Sequence, residues 1–400
     1  MSLNSTPSAN RIHIGFFGRR NAGKSSVVNA VTGQELSVVS DVTGTTTDPV
    51  SKAMELLPMG PVLIIDTPGY DDEGALGELR VKKTKEILHK TDVAVLVVDG
   101  TVGLTPVDEE LIKIFKQKDI SYITVYNKCD LMSVSEMIRL SQDDSAILVS
   151  ATDKKNIDQL KEKIALIADK GPEKHLIRDL VDKGDVVILV TPIDEAAPKG
   201  RLILPQQQTI RDLLEADAVT VVVKETEVSD TLKLLNKRPR MIITDSQAFK
   251  VVAQQIPADI PLTSFSILMA RYKGFLDNAV KSSVAIDNLK DGDRILISEG
   301  CTHHRQCGDI GTVKLPAWLE AYTGKKLQFE FTSGGTFPEE LSDYKVVIHC
   351  GGCTLNEREL RYRMKTALEQ GVPFTNYGTV IAQTQGIFVR SLEVFAGKYV

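Results

Sequence analysis

Apolar and polar positions alternate along this chain in three blocks. Between residues 11 and 167, short apolar segments (IHIGFFG, PVLIIDT, VAVLVVDG, SYITVYNK and AILVSA) are separated by longer polar stretches with helical spacing. Apolar runs bounded by turn residues fit strands covered on both faces, and helical connections between them fit a parallel sheet. The stretch NIDQLKEKIALIAD closes the block as an amphipathic helix, and the charged KGPEKHLIRD behind it reads as a linker. A second alternation begins near residue 181, with strands VVILVTPI, AVTVVVKE and RMIITD and helices around QQTIRDLLEA and from Ser229. A third begins near residue 264 with a helical stretch through FSILMARYKGFLDNAV, followed by strands RILISEG and KVVIHCGGC. The expected fold class is therefore α/β throughout. A flexible N-terminus (1–10) precedes a first α/β domain (11–168), a small α/β domain (181–262) and a terminal α/β domain (264–400). No short-period repeat and no low-complexity tract interrupts the pattern.

Composition narrows the class. With 42% hydrophobic and 25% charged residues the chain is an ordinary globular protein. A net charge of −5 argues against a dedicated nucleic-acid binder. No apolar run reaches bilayer length, and the start MSLNSTPSANR lacks the basic-then-apolar pattern of a secretory signal, so a cytoplasmic location and no membrane partner are expected.

The first block carries nucleotide chemistry. Gly18-Arg19-Arg20-Asn21-Ala22-Gly23-Lys24-Ser25 fits G-x-x-x-x-G-K-[ST], follows a strand and opens a helix through Ser26. Such a loop wraps phosphates with backbone N–H groups, sends Lys24 to the β- and γ-phosphates, and offers the Ser25 hydroxyl to Mg²⁺. Asp66-Thr67-Pro68-Gly69 ends a later strand, where Asp66 can hold Mg²⁺ through water and Gly69 can sense the γ-phosphate. Asn127-Lys128-Cys129-Asp130 supplies a carboxylate for the paired N–H donors of guanine, and Ser150-Ala151-Thr152 can support the base. Any one of these groups alone reads as a turn. The ordered set selects GTP over ATP.

These motifs resemble the translation-factor-like GTPases, especially the branch of tRNA-modifying and ribosome-assembly GTPases. That resemblance implies that Asn21 helps bind K⁺ and that Gly44-Thr45-Thr46-Thr47-Asp48 forms the first switch. Thr46 aligns with the magnesium-binding threonine, with Thr47 as rival. Tyr70 stands where Ras-like proteins place a glutamine. Glu78 resembles the water-positioning glutamate of the tRNA-modifying members, and a solvated helix glutamate is the alternative.

The last hundred residues carry soft ligands. Of five cysteines, Cys301, Cys307, Cys350 and Cys353 lie there with His303, His304 and His349, while Cys129 stands alone. Thiolates from Cys301, Cys350 and Cys353 suit either zinc or a 4Fe–4S cluster, and both ligand groups fall at the ends of expected strands. The simpler reading is a buried thiol for Cys129 or Cys307 and an ordinary histidine for at least one of the three.

Cys-x-His followed at distance by His-Cys-x-x-Cys behind a GTPase domain resembles the iron–iron hydrogenase maturation GTPases, the HydF family. Gly200-Arg201-Leu202-Ile203-Leu204-Pro205 and Thr375-Asn376-Tyr377-Gly378 also look like that family. The resemblance spans nearly the whole chain and implies a GTP-binding domain, a middle dimerisation domain forming a homodimer, and a cluster domain. It further implies a scaffold that holds a 4Fe–4S cluster on three cysteines and receives a transient two-iron precursor. The scaffold would deliver that unit to apo FeFe-hydrogenase, with two radical S-adenosylmethionine maturases as further partners. The fourth cluster position stays open between His303, His349, Asp194 and water. The competing reading is an RNA-modification or ribosome-assembly GTPase with a C-terminal zinc-binding domain.

Overall fold

The structure is a computed structural model that describes residues 6–35, 50–69, 83–143, 145–168, 173–193, 202–302 and 309–395. The chain divides into two compact units, Met1–Pro172 and Glu173–Val400.

The first unit is built on six strands: β1 (Ile12–Phe17), β2 (Val50–Leu56), β3 (Gly60–Asp66), β4 (Val93–Asp99), β5 (Ser121–Asn127) and β6 (Ala146–Leu148). They lie in the order β2-β3-β1-β4-β5-β6, and only β2 runs antiparallel to its neighbour. In β4 the alternation separates Val93, Val95 and Val97 on one face from Ala94, Leu96 and Val98 on the other. Each face buries its own core, which is why the strand reads as an unbroken apolar run. Of the expected flexible N-terminus, Thr6 O accepts from Arg11 Nε at 3.0 Å and Ser8 O bonds the His13 ring at 2.9 Å.

The second unit contains two four-stranded sheets. The first holds β7 (Val186–Val190), β8 (Val219–Val223), β9 (Met241–Thr244) and β10 (Leu262–Ser264) in the order β10-β9-β7-β8. The second holds β11 (Arg294–Glu299), β12 (Gln328–Ser333), β13 (Val346–His349) and β14 (Phe374–Asn376) in the order β12-β11-β13-β14. All pairings are parallel. Both sheets therefore follow one plan, with the first strand inside, the second beside it at the edge, and the third and fourth on its other flank.

Local detail repeats as well. Gly184 N donates to Asp217 O at 2.9 Å ahead of β7, and Gly292 N donates to Lys326 O at 2.8 Å ahead of β11. Pro261 O accepts from Ile242 N at 2.9 Å, and Pro373 O accepts from Val347 N at 2.8 Å. After the fourth strand comes a helix, Phe265–Tyr272 or Tyr377–Thr384, whose N-cap is Ser264 or Asn376. A glycine with positive φ then breaks the chain, Gly274 at 77° and Gly386 at 74°, before a second short helix. The long helix expected through FSILMARYKGFLDNAV is thus two helices, Phe265–Tyr272 and Leu276–Ser282, because Gly274 adopts the left-handed conformation between them. One continuous apolar core runs through both sheets, and β10 occupies the expected seam near residues 262–264.

Candidate nucleotide site and thiol site

The phosphate loop leaves β1 at Phe17 and enters the helix Lys24–Thr32. Gly23 caps that helix at φ 83°, and a Cβ there would meet Asn127 Nδ2 at 2.2 Å, so no side chain fits where the loop passes the β5 end. Lys24 Nζ lies 2.9 Å from Asp66 Oδ1, and Ser25 Oγ donates to Asp66 Oδ2 at 3.0 Å. Loop and β3 end thus bring together an amine, a hydroxyl and a carboxylate. Ser25 and Asp66 offer the hard oxygen donors that Mg²⁺ takes.

Asn127 ties three segments together. Its Nδ2 donates to Ala22 O at 3.1 Å, and its Oδ1 accepts from Ala151 N at 3.1 Å. Lys128, at φ 64°, extends Nζ to Asn21 O at 3.0 Å and to Asp99 Oδ2 at 2.6 Å. Asp130 is exposed beside them, and Ser150 is buried. The chain motifs therefore converge at the carboxyl ends of β1, β3, β4 and β5. Asp99 is a site residue that sequence reading missed, although VAVLVVDG placed an acid at a strand end. Burial works against its ionisation, but hydrogen bonds from Lys128 and Thr101 hold its carboxyl below the usual range. Thr45, Thr46, Thr47, Tyr70 and Glu78 lie outside the described residues.

In the second unit Cys301 follows β11, and Cys350 and Cys353 follow β13, its neighbour. These strands flank the point where strand order reverses, the usual ligand crevice of an open α/β sheet. All three are half-buried and outside any disulfide. Cys350 Sγ accepts from Gly300 N at 3.1 Å and from Gly352 N at 3.4 Å, as a thiolate ligand does. Gly352 turns at φ 64°, where a Cβ would meet Leu360 Cδ1 at 2.4 Å. Burial, then the neighbouring Cys350 and Cys301, push the Cys353 thiol up to about 12. Burial also pushes the Cys350 thiol up, and thiols that resist ionising become ligands when a bound cationic cluster offsets their charge. Among the described residues, no three His, Cys, Asp or Glu side chains stand at the spacing that holds a single metal ion. His303, His304, Cys307, Asp194, Gly200 and Arg201 lie outside the described residues.

His349 is fully buried at the end of β13. Its Nε2 faces Arg363 Nη1 at 3.2 Å and its Nδ1 faces Cys350 O at 2.8 Å, so both ring nitrogens are engaged by the protein. Phe374 stacks on the ring at 5.6 Å and Phe275 meets it edge-on. Burial, then the Arg363 charge, push its pKa down to about 3. In the unfolded chain a histidine protonates near pH 6.5. Its contribution is complete above that value and is lost as pH falls toward 3, because only the unfolded state takes the proton. Denaturant unfolding followed by Trp318 fluorescence should show lower stability at pH 5 than at pH 7, with a smaller difference in His349→Asn. An unchanged pH difference in that variant would remove His349 as the cause.

Comparison with known proteins separates the two units. Residues 13–128 match the family model described as 50S ribosome-binding GTPase. Residues 176–274 match the hydrogen maturase F dimerization domain, and residues 277–394 match the hydrogen maturase F tetramerization domain. The chain belongs to the hydrogen maturase F family. Residues 13–128 are thus of GTPase type, and the two other domains imply self-association.

The curated relatives are GTPases that match part of this chain. GTPase Der of Wolinella succinogenes is 36% identical over 165 residues, 38% of this chain and 35% of that protein. The tRNA modification GTPase MnmE of Bacillus thuringiensis (strain Al Hakam) is 29% identical over 226 residues, 55% of this chain and 46% of that protein. The chain thus spans between a third and a half of the length of these relatives. Among solved structures, a probable GTP-binding protein engB shares 30% identity at a TM-score of 0.31, covering 39% of this chain and 98% of that one. Among the described residues, no helix is long and apolar enough to cross a membrane.

Proposed function

We propose that this chain is a GTP-hydrolysing scaffold that holds a 4Fe–4S cluster on Cys301, Cys350 and Cys353. It would receive a two-iron precursor and pass it to apo FeFe-hydrogenase, with two radical S-adenosylmethionine maturases as partners. One observation carries the reading: three thiols at the ends of adjacent strands, one already accepting two backbone N–H groups. Three protein ligands leave a fourth cluster position for exchange with an incoming group. His349 has both ring nitrogens engaged, so His303, Asp194 or water are the better candidates for that position. Anaerobic reconstitution with ferrous iron and sulfide should give a brown protein with about four irons per chain. A colourless, zinc-only protein would sink the reading in favour of a zinc-stapled GTPase.

At the nucleotide site, Ser25, Asp66 and Thr46 would hold Mg²⁺, Asp130 would read guanine, and Gly18, Ala22, Gly23, Ser26, Thr45 and Gly69 would line the phosphates. Asn127, Lys128, Ser150 and Ala151 would support the base. Asn21 would bind K⁺ as a charge stabiliser, with Glu78 orienting water. Hydrolysis should then run faster in potassium than in sodium at matched ionic strength, and equal rates would exclude this role.

Self-association has a physical candidate in β8. It is an edge strand whose Val219 and Val222 are 50% and 43% exposed, an arrangement that invites pairing with a second copy. Val222→Lys should shift the chain to smaller species in light scattering at micromolar concentration. Unaltered assembly would point to another face.

A further inference from the structure

Arg363 is 1% exposed, yet it carries a charge that cannot be lost. It sits on the helix Glu357–Glu369 in the inward stripe with Leu360 and Ala367. Its guanidinium reaches the ends of three strands. Nη1 faces Ser298 Oγ of β11 at 3.5 Å and donates to His349 Nε2 of β13 at 3.2 Å. Nη2 donates to Gly334 O, just past β12, and to Glu359 Oε1, both at 2.6 Å. The Phe337 ring lies 5.3 Å below.

Three of these contacts, to His349, Gly334 and Ser298, lead on to a thiol. Because His349 Nε2 accepts from Arg363, the ring proton sits on Nδ1 and is donated to Cys350 O. Gly334 lies against Thr302, the residue after Cys301, so closely that a Cβ would meet Thr302 Cγ2 at 2.6 Å. Ser298 N–H and C=O belong to the strand that delivers Gly300 N to Cys350 Sγ, and Ser298 O itself accepts from Cys350 N at 3.0 Å.

The chain contains its own control. In the first sheet Val190 pairs with Thr244 at the register position where the second pairs Ser298 with His349. Thr244 Oγ1 is buried there with no hydrogen-bond partner, and the helix after β9, Phe249–Gln255, has no arginine. The same strand plan forms without the guanidinium. The network is present in the copy that bears the cysteines.

We propose that Arg363 is the positioning residue of the thiol site, its guanidinium locking the ends of β11, β12 and β13 together and so fixing Cys301 relative to Cys350 and Cys353. This inference rests on the cluster reading above. A lysine keeps the charge but has no planar fork to span the acceptors, and a methionine fills the volume without charge. Removing one member of a buried ion pair strands the other, whereas replacing both by uncharged side chains of similar size need not weaken the fold. The outer partners of metal ligands typically matter for retention.

The test uses the full chain, reconstituted anaerobically with ferrous iron and sulfide, as wild type, Arg363→Lys and the double variant Arg363→Met with Glu359→Gln, which removes both members of the ion pair. Both variants should release iron to a chelator about 10- to 100-fold faster than wild type. The cluster they retain should give a shifted electron paramagnetic resonance signature after reduction. Their metal-free forms should melt with the wild type. Wild-type release rates in either variant would overturn the proposal, the lysine result because charge alone would then suffice. Metal-free variants melting well below wild type would make Arg363 a residue of the fold, and would overturn it too. A wild-type chain that takes up no iron and sulfide would instead overturn the cluster reading itself, and this proposal with it.

Discussion

Lys24→Ala should reduce GTP affinity by roughly 100-fold or more, since charge-assisted bonds to two phosphates are worth about 1.5–3 kcal/mol each. The lysine stands 2.9 Å from Asp66, and Ser25 donates to the same carboxylate, so amine and candidate magnesium ligands form one cluster. The substitution also leaves Asp66 without its ion pair in a place where little water reaches. Circular dichroism must therefore show a folded domain before the affinity is read. Asp130→Asn should act differently, lowering guanine preference while phosphate contacts remain, because Asp130 is exposed and lies beyond β5, outside the phosphate loop. Titration with fluorescent GTP, GDP and ATP separates the two outcomes. Unchanged affinity and selectivity in both variants would move the nucleotide site elsewhere.

Serine at Cys301, Cys350 or Cys353 should strip most of the iron–sulfur centre, because an alkoxide is a poor substitute for a soft thiolate. Cys350→Ser should be the most severe. Its sulfur holds the N–H groups of Gly300 and Gly352 and so orders the turn as well as binding metal. GTP hydrolysis should survive all three changes, since the nucleotide motifs lie in a compact unit that ends at Pro172. Hydrogenase activation should fail while hydrolysis continues. The paired measurement is iron content and activation of apo-hydrogenase for each variant, prepared without oxygen. Retention of both by the three variants would deny the thiols their role.

Several elements were illegible for definite reasons. Strand β2 (VSKAMEL) is largely exposed at a sheet edge, so no apolar run marks it. Strand β12 (QFEFTS) is also an edge strand and alternates polar with half-buried positions. Strands β10 and β14 are three residues long, too short for a periodicity to appear. The likeness of the two second-unit sheets was equally hidden. It lives in strand order, in hydrogen bonds made by glycine and proline, and in caps that Ser264 and Asn376 both satisfy.

The sequence by itself determined the parts whose chemistry is local. A phosphate loop needs contiguous glycines before a helix, a C-x-x-C turn carries its own spacing, and doubly covered strands such as VAVLVVDG must be apolar throughout. Tertiary structure decided everything that depends on side chains meeting across the fold. Arg358, Arg361 and Arg363 look alike in the string ERELRYRMK, and helix phase turns Arg363 inward onto the strand ends. His349 resembles a metal ligand in sequence, but Arg363 and Cys350 O occupy its two nitrogens. Asp99 joins the candidate nucleotide site only because β4 and β5 lie side by side, which puts its carboxylate against Lys128. Local spacing fixes which groups a segment offers, whereas strand order and helix phase decide which of them face one another.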